Sequence, residues 1–264
     1  MQLRTIWYGA MAGSLALMIA CGGGKEESTS TPAAPVAKPA APAANAYDPA
    51  KSTASVTGKI TFDGAKPNLV KVQMSADPVC NKAHTEAVMD QSVIINADGT
   101  LKNVFVYVKE GADKWTYTTP TEPVELDQVG CLYHPHVLGV MANQPLKIKN
   151  GDPTLHNIHP QPKNNPEFNL GQPTQGMETV KTFANPEIMI PVKCDVHRWM
   201  ESYIAVMAHP FFSVSGDDGT FTLKNLPAGT YTIEAWHEKY GAQTASVTVA
   251  DGEAKTADFT FKAM

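Results

Sequence analysis

No cluster of lysine or arginine interrupts the mixed charge of this 264-residue chain, whose 21 Lys+Arg stand against 26 Asp+Glu. A formal net charge of −5 without a basic patch offers a phosphate backbone nothing to hold, which excludes nucleic acid as a partner. A sustained helical period is also missing after the first twenty residues, which excludes helical bundles. Cysteine is scarce. There are four, at positions 21, 80, 131 and 194, so each one has to be accounted for.

What is present begins with residues 1–20, MQLRTIWYGAMAGSLALMIA, which carry one charge at Arg4 and then an apolar run. A basic start, an apolar stretch and small residues before a cleavage point describe a secretory signal peptide. The run ends at Cys21, and this junction resembles the lipobox of bacterial lipoproteins, with Met18 where leucine is usual. The resemblance implies cleavage ahead of Cys21 and a lipid on its sulfur. The expected location is therefore the bacterial cell envelope, lipid-anchored, on the periplasmic or cell-surface side of a membrane. Residues 21–53 are dominated by Gly, Ser, Thr, Pro and Ala. Such a composition buries too little apolar surface to offset its ordering entropy, and it predicts a disordered tether.

The remaining residues are punctuated by Asp63-Gly64, Asp98-Gly99, Asn150-Gly151, Asp218-Gly219 and Asp251-Gly252. Asp-Gly and Asn-Gly reach positive φ cheaply and suit tight hairpin turns. Between them apolar residues alternate, as in Val104, Val106 and Val108 or Tyr231, Ile233 and Ala235. A period of two between regular turn signals predicts an all-β protein built of β-sandwiches.

Two segments carry chemistry. In CDVHRWM, residues 194–200, Cys194, His197 and Met200 recur at steps of three, directly after IMIPVK. That strand is expected to place Ile188, Ile190, Val192 and Cys194 on one inward face. A thiolate, an imidazole and a thioether from one loop suit copper better than calcium, magnesium or manganese. NGDPTLHNIH, residues 150–159, supplies a further histidine after the alternating strand PLKIK. Together the pattern N-x-D-x-x-x-H-N-x-H and the later C-x-x-H-x-x-M resemble the cupredoxins, amicyanin and plastocyanin among them. The resemblance, which covers roughly residues 124–208, implies a Greek-key sandwich, expected as a domain of residues 77–209, and one type 1 copper ion held by His156, Cys194, His197 and Met200. It also implies that Asn157 ties the two ligand loops together. Asp195 departs from the family, since a small hydroxyl or neutral residue usually follows the cysteine. A carboxylate there would favour Cu(II).

The C-terminal run DGTFTLKNLPAGTYTIEA followed by GAQTASVTV resembles carboxypeptidase regulatory-like domains, small transthyretin-like β-sandwiches. The first strand of that family fits VTGKITFDGAKP far upstream, so the module is expected to be split into residues 54–76 and 210–264, with the copper domain inserted. With Cys21 lipidated and Cys194 on copper, Cys80 and Cys131 remain, and an exported chain favours a disulfide between them. The competing arrangement is a zinc site using those sulfurs with His84, His134 or His136. His159 is expected to face outward, and His209 and His237 to be structural.

The function implied is that of a one-electron carrier, not an enzyme, which docks a redox protein of the cell envelope through an apolar patch of Trp199, Met200 and Tyr203 around His197. The alternative is a tethered protein that captures or delivers copper, or an envelope binding module without redox turnover.

Overall fold

The computed structural model describes residues 45–263. The expected signal peptide, Cys21 and most of the tether lie outside the described residues. Among the described residues no helix is long and apolar enough to cross a membrane.

The chain opens with β1 (Ala54–Asp63), makes the five-residue helix α1 (Pro78–Lys82) and continues with β2 (Phe105–Glu110). Nine strands follow: β3 (Val124–Val129), β4 (Leu132–His134), β5 (Val137–Met141), β6 (Leu146–Asn150), β7 (His156–Pro160), β8 (Leu170–Gln172), β9 (Glu178–Lys181), β10 (Glu187–Lys193) and β11 (Glu201–Met207). The C-terminal part holds β12 (Phe212–Val214), β13 (Thr220–Leu226), β14 (Gly229–His237), β15 (Gly241–Val249), β16 (Ala254–Thr256) and β17 (Phe259–Lys262). The fold is all-β.

These strands form two sandwiches. In the first, a sheet ordered β13-β1-β16, with β17 also on β1, faces a sheet ordered β12-β2-β14-β15. Their shared core includes Val56, Ile60, Val106, Val108, Phe221, Leu223, Tyr231, Ile233 and Phe261, all at most 2% exposed. Each of the larger side chains contributes about 2 kcal/mol by leaving water. Gly58 of β1 has to be glycine, because a Cβ there would lie 1.9 Å from the carbonyl oxygen of Ala257. In the second sandwich, a sheet ordered β5-β11-β10-β7-β8 faces one ordered β4-β3-β6-β9 around Leu126, Leu146, Ile148, Ile158, Val192 and Ile204.

The boundary expected at residues 77–209 does not hold as drawn. Val93, Leu101, Val104, Val106, Val108 and Ala112 pack into the first core, together with β1 and the C-terminal strands. Strand β2 bonds β12 on one side and β14 on the other, so that sheet is incomplete without it. The opposite face of β2, Phe105 and Tyr107, packs on Val137, Met189, Ala205 and Met207 of the second sandwich. The two sandwiches thus meet through a third apolar layer, where Trp236 of β14 lies 5.3 Å from Tyr203 of β11.

Two local expectations also change. A register shift between Glu187 and Ile190, with Met189 at φ 57°, bulges β10. It leaves Ile188 38% exposed and turns Met189 inward, so the buried row is Ile190, Val192 and Cys194. Asn150-Gly151 makes no hairpin. Asn150 is buried and bonds the carbonyls of Thr154 and Gln172 and the amide of Asp152, which shapes the loop leading to His156.

Candidate metal centre

His156 begins β7, at the end of the loop that Asn150 organises. The second loop joins β10 to β11 and folds on itself. The amide of Met200 donates to the carbonyl of His197 at 2.9 Å, and the amide of Cys194 to the carbonyl of Met200 at 3.3 Å. These closures explain the steps of three, because one tight turn brings Cys194, His197 and Met200 to one side. Asn157 fastens the two loops, as its Oδ1 accepts from the amides of Asp195 at 2.6 Å and Val196 at 3.3 Å.

The outcome is a buried cluster. His156, Cys194, His197 and Met200 are 0%, 1%, 2% and 0% exposed. One donor atom each from His156, Cys194 and His197 lies within 4.8 Å of the others. The two Nδ1 atoms stand 3.0 Å apart, and Cys194 Sγ is 3.9 Å from Nδ1 of His197. Met200 packs in the same core cluster as Cys194.

The far side of each ring meets a carboxylate. Nε2 of His156 bonds Asp152 at 2.9 Å, and Nε2 of His197 bonds Asp77 at 3.0 Å. A carboxylate accepts, so it selects the tautomer with hydrogen on Nε2 and leaves a lone pair on each Nδ1. Two lone pairs aimed at each other across 3.0 Å, beside a thiol sulfur, need a cation between them. Burial works against charging His156, yet the bonds to Asp152 and Cys194 lift it to about 9. Burial likewise opposes the thiolate, but bonds from His156, His197 and two backbone amides bring Cys194 down to about 6. Asp77 is held at about 2: its modest burial is outweighed by bonds from His197, Thr154 and the amides of Val79 and Cys80. The donor set therefore fits a soft or borderline metal ion carrying positive charge.

The family of carboxypeptidase regulatory-like domains matches residues 206–262. No curated protein matches. Among solved structures, a copper-containing nitrite reductase from Thermus scotoductus SA-01 is similar at 22% identity and a TM-score of 0.31, over 39% of this chain and 25% of that one. The chain thus spans a quarter of the length of that reductase. A variant of amicyanin in its Cu(I) form is similar at 18% identity and a TM-score of 0.29, over 32% of this chain and 82% of that one. A purple cupredoxin from Nitrosopumilus maritimus is similar at 19% identity and a TM-score of 0.28, over 31% and 98%.

The structure brings His156, Cys194, His197, Met200 and Asn157 together. Asp195 turns outward, its side chain 54% exposed and bonded to Asn157, Asn169 and His159. His159 is largely covered, held between Asp195 and Glu167. Cys80 and Cys131 are joined as a disulfide, which leaves the zinc alternative without thiolates. Nε2 of His84 instead bonds the carbonyl of Gly130, and His136 bonds Glu238 and the carbonyl of Glu201.

The apolar patch expected around His197 is not present. α1 and the disulfide lie over that imidazole, and Cys80 Sγ is 3.5 Å from its Nε2. Met200 is enclosed, Trp199 donates to the carbonyl of Cys131, and Tyr203 packs on Trp236 and His136. Sequence reasoning missed Asp77, Asp152, Thr154 and Tyr133. Asp77-Pro78 ahead of Cys80 is a helix N-cap signal that could have located the first of them. Asp152 stands four residues before His156, inside the quoted motif.

Proposed function

We propose that this protein holds one copper ion through His156, Cys194 and His197, with the Met200 thioether as a further weak donor, and works as a one-electron carrier. One observation carries the reading: two buried imidazoles turn their Nδ1 atoms to one point beside a buried cysteine sulfur, each backed by a carboxylate. A His₂Cys set with a thioether nearby is the donor set of blue-copper electron-transfer sites. Bound there, the ion supplies exchange between Cu(II) and Cu(I). The chain's own residues do the rest. Asp152 and Asp77 hold the rings, Asn157 holds the loops in register, and burial keeps water from the thiolate.

A thiolate beside an imidazolium also describes a catalytic cysteine. Cys194 is 1% exposed, however, so no substrate reaches its sulfur in this state, and no enzymatic role is proposed. The proposed setting is a bacterial cell envelope, periplasmic or cell-surface, with a lipid on Cys21 and a redox protein as partner. The carboxypeptidase regulatory-like sandwich is proposed to position the copper site through the Trp236–Tyr203 contact, without catalysis.

The second reading, copper capture or delivery, draws on the burial of His197, which removes the imidazole edge from the surface. Repeated reduction and reoxidation of the copper-loaded protein separates the two. A carrier regains its visible band each cycle and keeps its copper through gel filtration. A delivery protein stays colourless as Cu(I) and loses copper to an added Cu(I) chelator.

A further inference from the structure

The carboxylate behind His197 comes from far away in sequence. Asp77 lies in the irregular segment between β1 and β2, which belongs to neither ligand loop. That segment closes on itself through Val72 to Val88 and Asp90 to Val70 backbone bonds, and it buries Met74 and Cys80 in the core of the second sandwich. Asp77 uses both oxygens. Oδ1 caps α1 by accepting from the amides of Val79 at 2.7 Å and Cys80 at 3.4 Å. Oδ2 faces Nε2 of His197 at 3.0 Å and accepts from the hydroxyl of Thr154 at 2.9 Å.

The disulfide joins this arrangement to its counterpart. Cys131, the partner of Cys80, donates its amide to Asp152 at 2.7 Å, and Asp152 is the carboxylate behind His156. The anchors of the two carboxylates are therefore covalently linked, so both rings are braced from one side by one connected unit.

We propose that Asp77 is a positioning residue for the copper site: through Nε2 it fixes the ring and tautomer of His197, and its negative charge favours Cu(II) over Cu(I). This rests on the copper reading above. The physical reasons are two. An acceptor at Nε2 keeps the hydrogen there and leaves Nδ1 free as the ligand atom. A carboxylate on a ligating imidazole also raises the basicity of the ring, which stabilises the more highly charged ion.

Asp77→Asn is a clean perturbation, because asparagine caps a helix about as well as aspartate while lacking the charge. Its amide group presents hydrogens toward Nε2 once its oxygen is committed to the cap, which favours the other tautomer. Asp77→Ser keeps a cap and withdraws from the ring altogether. Both variants keep a helix cap and are expected to fold, at a modest cost in stability from the lost bonds to His197 and Thr154, while their metal sites change. Cu(II) binding should weaken about tenfold relative to Cu(I), which raises the reduction potential by about 59 mV. The copper hyperfine pattern in the electron paramagnetic resonance spectrum should also shift.

A second readout needs no copper. Nitrogen-15 spectra of the metal-free chain should show the His197 proton on Nε2 with slowed exchange, and should lose that signature in Asp77→Asn. Failure of the parent protein to bind copper at Cys194 would overturn the copper reading, and the nitrogen spectra then decide the role of Asp77 alone. An unchanged potential and hyperfine pattern in both variants, or an unchanged His197 signature in Asp77→Asn, overturns this proposal.

Discussion

Acid should weaken this protein well before its carboxylates titrate, and His237 is the reason. That imidazole ends β14 at 1% exposure, between the rings of Tyr240 and Phe261 at 4.8 and 6.0 Å. Its Nδ1 accepts from the amide of Lys239 at 3.1 Å. Burial, with electrostatic repulsion from His136 and Lys239, pushes its pKa down to about 4. In the unfolded chain a histidine titrates at about 6.5. The folded value is the lower one, so the unfolded state binds the extra proton between these values. The stability contribution is therefore complete above about pH 6.5 and is lost as pH falls toward 4. At about 1.4 kcal/mol per tenfold change in proton affinity, the full loss is about 3 kcal/mol, and about 2 to 3 kcal/mol of it is gone by about pH 4.5. His209 is buried, donates Nε2–H to the carbonyl of Val108, and is lowered in the same direction, so it steepens the fall. The assay is urea unfolding between about pH 7 and pH 4.5. His237→Asn keeps an acceptor near Nδ1 and does not titrate, so its stability should fall less by about 2 kcal/mol over that range. Parallel profiles for the two proteins would show that His237 is not the group responsible.

Tyr133→Phe removes a buried hydroxyl that donates to the carbonyl of Asn157 at 2.6 Å and also lies 3.0 Å from that of Lys193, so it should cost about 1–2 kcal/mol in denaturant unfolding. A loss of only a few tenths would count against that bond. Replacing Cys80 and Cys131 together by alanine opens a link of sequence separation 51 and should lower stability by about 4 kcal/mol on chain entropy. Unreduced mass spectrometry should first show the two peptides linked. Met200→Leu should keep the colour of the copper form and raise its potential in a redox titration, because a weak thioether donor would be lost; an unchanged potential would remove Met200 from the site.

The sandwich architecture was legible because its signals are local. Gly64, Gly99, Gly219 and Gly252 each take positive φ in the turns that their Asp-Gly pairs announced. Tyr231, Ile233 and Ala235 alternate into the core, as their spacing predicts. The neighbourhood of Cys194 and His197 was legible for the same reason, since seven residues hold the whole turn. Strand β2 was harder to assign. Val104, Val106 and Val108 fill one core while Phe105 and Tyr107 fill another, so the run is apolar on both faces and its alternation does not say which sheet owns it. The β10 bulge at Met189 reverses the direction of one side chain without marking the sequence. The cover over His197 was invisible because the contact between Asp77 and His197 spans 120 residues. Only the folded chain brings that N-cap aspartate against the imidazole.

In the proposed site Cys194 shares one copper ion with His156 and His197. The visible and electron paramagnetic resonance spectra of the Cu(II)-loaded protein and of its Cys194→Ser variant test it most directly. The parent protein should show an intense thiolate-to-copper band, blue or green, and the variant should lose it, because serine offers no sulfur to the metal. A visible spectrum that Cys194→Ser leaves unchanged would remove Cys194 from the copper site.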